Sequence, residues 1–160
     1  MEMILLYREM RRKDRQITND SALKILKYGE YGFLSMVDKD NTPYGIPISY
    51  VLDDHSIYLH SCVEGQKIDC ILNNPKVTFC VVGNTEVLPD KFSTKYESVI
   101  VFGKAFIVEN IDEIRQYMNI LREKYSKDFS VEGRKYIERA INNFKCIKIE
   151  IEYITGKASK

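Results

Sequence analysis

The sequence predicts a mainly β fold, a six-stranded antiparallel barrel with helical additions, and three observations lead there. Strand-like runs between Tyr31 and Ser61 are separated by short turns, which suit consecutive antiparallel strands and are too short for parallel crossovers. The stretch Tyr96 to Val108 is long for one strand and carries Gly103 inside it, the mark of a strand that bends between two parts of a barrel. Ile147, Ile149, Ile151 and Tyr153 alternate with Lys148, Glu150 and Glu152, as a half-exposed closing strand does.

Taken in order, residues 1–10 read as an N-terminal arm and 11–160 as one domain. The four apolar residues from Met3 are flanked by Glu2, Arg8 and Glu9, too short a run for a signal peptide or a membrane span. Thr18 to Asp20 supply caps for a helix that carries Leu23 and Leu26 and stops at Gly29. Strand one is Tyr31 to Val37, strand two Tyr44 to Leu52 and strand three Ser56 to Ser61, joined by Asp38-Lys39-Asp40-Asn41 and Asp53-Asp54-His55; this is read as a meander. A short helix from Gly65 to Asn73 puts Ile68, Ile71 and Leu72 on its apolar side and ends at Asn74-Pro75. Strand four is Lys76 to Val82, Gly83 to Ser93 a long loop, and strand five Tyr96 to Val108. Ile111, Ile114, Met118, Leu121 and Tyr125 recur at helical spacing, as do Tyr136, Ile137, Ala140, Ile141 and Phe144.

Composition narrows the function. At 160 residues the chain is long enough for one core and short for two. Lys and Arg total 24 against 23 for Asp and Glu, so there is no electrostatic case for nucleic acid or an anionic membrane, and any phosphate site must be local. The cysteines, Cys62, Cys70, Cys80 and Cys146, form no Cys-x-x-Cys pair and read as buried free thiols in the cytosol. Partners are therefore expected among small molecules.

The most informative stretch is Ile57 to Lys67, IYLHSCVEGQK. An alternating strand ends in His60-Ser61 and turns within a few residues onto Gly65-Gln66-Lys67, where a helix starts. Backbone N–H groups at a helix start, a lysine charge and a serine donor suit a phosphate group. The plain alternative is a turn with a solvated lysine.

The order of elements, with Pro43 to Val51, Ile57 to Lys67 and Asn74-Pro75-Lys76-Val77, resembles the pyridoxamine-phosphate-oxidase-like split barrels that bind FMN, over roughly residues 11 to 157. The runs Met10 to Arg15, Gly29-Glu30-Tyr31-Gly32, Thr85 to Pro89 and Tyr96 to Ala105 look like the Nim-type nitroimidazole-resistance branch. The resemblance implies a homodimer with FMN in clefts between subunits, the phosphate held by Ser61, Gln66 and Lys67. It implies also that backbone of Pro47, Ile48, Ser49 and Tyr50 meets the flavin ring, that His60 stands beside it, and that Ser98 and Val99 reach the cofactor from the fifth strand. Where true pyridoxamine oxidases carry arginine this chain has Gln66, and Ile46 and Val51 replace further basic residues. A doubly charged substrate phosphate needs cations that this strand does not supply.

Each of these residues has a plainer role as well. Pro47 cannot donate to a ladder, so it also marks a protected edge strand. His60 is either a flavin neighbour, and then the one candidate catalytic side chain, or a structural histidine. Ser98 serves as a phosphate or ring donor or as a cross-strand hydrogen bond, and Phe92 covers the flavin or seals a core edge. Tyr96 and Lys157 are candidate contacts from the partner side, and His55 is solvated. Without a Ser-His-Asp order, zinc motif or paired carboxylates, catalysis would be the flavin's own electron transfer. The sequence thus leads to an FMN-dependent oxidoreductase of small planar, nitroaromatic substrates, with a non-catalytic FMN- or haem-binding protein as the alternative.

Overall fold

The structure is a computed structural model, described for residues 7–159; the first six residues of the predicted arm lie outside that range. Helix α1 (Asn19–Tyr28) begins where Thr18 Oγ1 accepts the Ser21 N–H at 3.2 Å and buries Ala22 and Leu26, so the predicted cap is the observed one. Strands β1 (Gly32–Val37) and β2 (Pro43–Ile48) form a hairpin. The Asp38 carboxylate accepts the N–H groups of Asp40 and Thr42, each at 2.8 Å, which closes the turn.

The predicted second strand breaks at Ser49-Tyr50, and β3 (Val51–Asp53) starts anew and pairs with β4 (Ser56–Ser61). That break gives seven strands where the sequence predicts six. Helix α2 (Gln66–Asn73) follows, then β5 (Lys76–Leu88) and β6 (Ser93–Val108), helices α3 (Ile111–Tyr125) and α4 (Ser130–Ala140), and β7 (Lys145–Ser159). The expected loop Gly83 to Ser93 is mostly strand: β5 and β6 continue as a two-stranded ribbon, with Thr85 opposite Tyr96 and Leu88 opposite Ser93.

The sheet is antiparallel throughout, in the order β2-β1-β5-β6-β7-β4-β3. It is not a simple meander, because β5 returns to pair with β1 while β4 pairs with β7. The two end strands, β2 and β3, are consecutive in the chain. Three backbone steps from Ile48 to Val51 span at most ~11 Å, at roughly 3.6 Å per residue. The sheet therefore curls until its ends nearly meet, and the seam between them is not closed by a ladder. This is the split barrel.

Leu34, Phe79, Val81, Val101, Leu59 and Ile149 fill its interior, with Ala22 and Leu26 of α1 packed into the same core. A second cluster lies outside the barrel, where Ile114, Met118, Leu121 and Ile137 of α3 and α4 cover Val51, Tyr58 and Cys146. Strand β6 bends as expected at Gly103, where the pairing with β7 slips by one residue. Of the cysteines, Cys70 and Cys146 are buried and Cys80 half-buried, while Cys62 is exposed because it opens the loop after β4.

Candidate functional site

Ser61, the last residue of β4, is buried, and the chain leaves it through Cys62 to Gly65. Gly65 sits at φ +131°, ψ 167° with open space where a Cβ would stand. The glycine is demanded by the backbone angle and not by packing. Among the described residues no side chain caps α2, and the N–H groups of Ile68 and Asp69 both reach Gly65 O, at 2.9 and 3.1 Å. The N–H groups of Gln66 and Lys67, at the first turn, have no intrahelical acceptor.

Gln66 is exposed and Lys67 half-buried. Burial holds the Lys67 ammonium below its ordinary pKa, and burial first and the Lys67 charge second lower that of His60. The ammonium and the imidazole are thus close enough to feel one another's charge, while Ser61, the next residue of the strand, is buried on the opposite face. A half-buried ammonium in the first turn of a helix without a side-chain cap is chemistry suited to an anion.

His60 also lines a cavity of about 340 Å³ with Ser49, Met118, Leu121, Arg122 and Tyr125. The break after β2 and the end of β4 are thereby brought to one space under α3 and α4. In its wall the Arg122 side chain, 8% exposed, donates from Nη2 to Glu123 Oε1 at 2.5 Å and from Nε to Asn119 Oδ1 at 3.4 Å. Its buried Nη1 has no acceptor among the described residues, a cost that a bound electron-rich group would relieve.

Tyr50 stands at the seam. Its ring is fully buried, packs edge-on against Phe79 with centroids 4.9 Å apart, and its hydroxyl donates to Leu26 O. Its backbone is held from α3: Tyr125 Oη lies 3.1 Å from Tyr50 N, and Lys124 Nζ donates to Tyr50 O at 2.9 Å. Pro47 and Ile48 lie on β2, an end strand, so every second residue there turns its backbone groups into the seam.

The other predicted residues lie apart from this group. Ser98 and Lys157 are opposite one another on β6 and β7 and line a separate hollow of about 170 Å³ with Arg8 and Met10. Tyr96 accepts a hydrogen bond from Arg15 at 3.2 Å, and hydrogen bonding to Lys157 first and Arg15 second holds its pKa below the usual value. Val99 points into the core with strands on both sides. Phe92, 99% exposed in a left-handed conformation, tips the β5–β6 ribbon.

Sequence reasoning misses the helical wall, Arg122 above all. The available signal is an arginine four residues after Met118 and next to Leu121, on a face whose neighbours are apolar.

The family model described as pyridoxamine 5'-phosphate oxidase matches residues 18–158. The chain belongs to this family. Among solved structures, that of a candidate 5-nitroimidazole antibiotic resistance protein of Bacteroides thetaiotaomicron matches with a TM-score of 0.76, 26% identical over 91% of this chain and 90% of that one. A FAD-binding protein of Mesorhizobium loti is 22% identical, covering 91% and 98%, with a TM-score of 0.65. The FAD and heme binding protein of Mycobacterium smegmatis is 16% identical, covering 91% and 74%, with a TM-score of 0.79. No curated protein matches the sequence of this family member.

Proposed function

We propose that the chain binds FMN and acts as an FMN-dependent oxidoreductase on small planar substrates, nitroaromatic compounds such as nitroimidazoles among them. The observation that carries this reading is the start of α2 just after β4, which has no side-chain cap among the described residues and carries Gln66 and the half-buried Lys67 in its first turn, five residues beyond Ser61. These residues fit a flavin phosphate. The open backbone of Pro47 to Ser49 and the His60 imidazole are the groups available to the ring, and the cavity behind them suits a planar partner. When bound, FMN supplies the electron transfer; the protein supplies orientation and access. That related folds belong to a FAD-binding protein and to a candidate nitroimidazole resistance protein supports the reading.

Purified protein is expected to carry or take up FMN, identified by absorbance and mass, and to consume a reductant when a nitroimidazole is supplied. Bound FMN without turnover would leave a carrier in place of an enzyme. Failure to bind FMN at all would end the proposal.

The reading includes a homodimer. Pro47, Phe33, Cys80, Ile100 and Thr155 form one row across β2, β1, β5, β6 and β7 on the outer face, and Phe33 and Ile100 remain 45% and 40% exposed. Such a face calls for a cover. The predicted cofactor residues also fall into two groups, around Lys67 and around Ser98, that a cleft between two copies would join. Sedimentation of the FMN-loaded protein is expected to give a dimer, the scale of a specific interface being above ~1,000 Å²; a stable monomer with FMN fully bound would rule out a shared site.

A further inference from the structure

We infer that Lys124 and Tyr125, neighbours in the last turn of α3, are positioning residues that hold the barrel's seam in the shape the flavin ring meets. The inference rests on the flavin reading above. One hydroxyl has three polar neighbours: Tyr125 Oη lies 3.1 Å from Tyr50 N, 2.9 Å from Tyr50 O and 2.6 Å from Glu30 O.

A phenol has one hydrogen to give and can also accept. Tyr125 therefore accepts the Tyr50 N–H and gives its proton to the nearer carbonyl, that of Glu30. The Tyr50 carbonyl is left to Lys124, whose Nζ donates at 2.9 Å while lying 3.9 Å over the Tyr50 ring. Both backbone groups of Tyr50 are thus satisfied by side chains, at the point in the sheet where no strand is present to do so. Through Glu30 the same hydroxyl ties the seam to the entry of β1.

The ammonium is costly to keep there. Burial pulls the Lys124 pKa down to about 8, so the position gives up charge solvation to keep a donor on this carbonyl. A surface lysine of purely decorative kind has no such geometry. What the pair fixes is the φ,ψ of residues 49 and 50, and with them the direction in which Pro47 to Ser49 present their free backbone groups. Ser49 faces the cavity that His60 lines, so a shift at Tyr50 is carried straight to the place assigned to the ring.

The test compares riboflavin with FMN in Tyr125→Phe and Lys124→Met. Both flavins should lose affinity by the same factor, about tenfold, with a shifted flavin absorbance, because the ring end is disturbed and the phosphate end is not. Lys124→Arg, which keeps a donor, should restore most of the loss. Circular dichroism of the flavin-free protein checks folding; if Tyr125→Phe does not fold, Lys124→Met and Lys124→Arg carry the comparison. If the wild type binds both flavins and the folded variants bind them equally tightly with an unchanged spectrum, the positioning role is overturned and the flavin reading stands. If the wild type binds neither flavin, both fall together.

Discussion

Gly103→Ala is expected to cost the protein about 3 kcal/mol or more of folding stability, at or beyond the upper end of what overpacking usually costs. A Cβ at this position would stand 2.1 Å from the Glu150 carbonyl oxygen and 3.1 Å from its carbon. These are backbone atoms of β7 in the middle of the sheet, so no side chain can turn aside to make room. The slip in register between Phe102 and Gly103 falls at this close approach of the two backbones. Relief would require β6 and β7 to part, along the longest strand pair in the molecule. Denaturant unfolding of the flavin-free variant, with an unchanged m-value, reads the loss directly. A variant within ~1 kcal/mol of wild type would mean that the strands do not meet as described.

The largest effect on ligand binding is expected from Lys67→Ala, with FMN affinity falling roughly ten- to hundredfold, as loss of a charged hydrogen bond of ~1.5–3 kcal/mol implies. Riboflavin, which has no phosphate, should be indifferent. Equal losses for the two flavins would remove Lys67 from the phosphate site. The same variant contains its own control. The Lys67 charge helps to depress the His60 pKa, so removing it should move the imidazole's titration to higher pH, followed by NMR on flavin-free protein. The direction follows from the sign: a nearby cation disfavours the imidazolium, and its absence lets the ring hold its proton longer. Unfolding of the barrel is not expected, since the Lys67 side chain is only half-buried.

How far the sequence carried these readings varied with the range of the interaction involved. Thr18 as a cap, Gly29 as a stop, Asn74-Pro75 as a helix end and the bend at Gly103 are local signals, and each stands where it was expected. The helix start after β4 was legible for the same reason, since Ser61, Gly65, Gln66 and Lys67 are close in the chain. The break at Ser49-Tyr50 was not legible, because Ile46, Ile48, Tyr50 and Val51 read as one apolar strand. It is imposed by curling of the sheet and by side chains of α3 that lie far away in sequence. The ribbon beyond Gly83 was hidden by its composition: Asn84, Thr85, Glu86 and Asp90 look like loop because the ribbon is wet on both faces. The pairing of β4 with β7 has no local signal at all.

That pairing sets a timetable. β4, which carries His60 and Ser61, joins the rest of the sheet only against Lys145 to Glu150 of β7, a strand that follows it by more than eighty residues. Until then the β3–β4 hairpin has one short neighbour and no sheet to join, while β1, β2, β5 and β6 can already assemble from earlier parts of the chain. Non-local pairing of this kind is slow. Strands β2, β1, β5 and β6 thus make one half of the barrel and the β3–β4 hairpin the other, and no ladder joins the two until the closing strand lies between them.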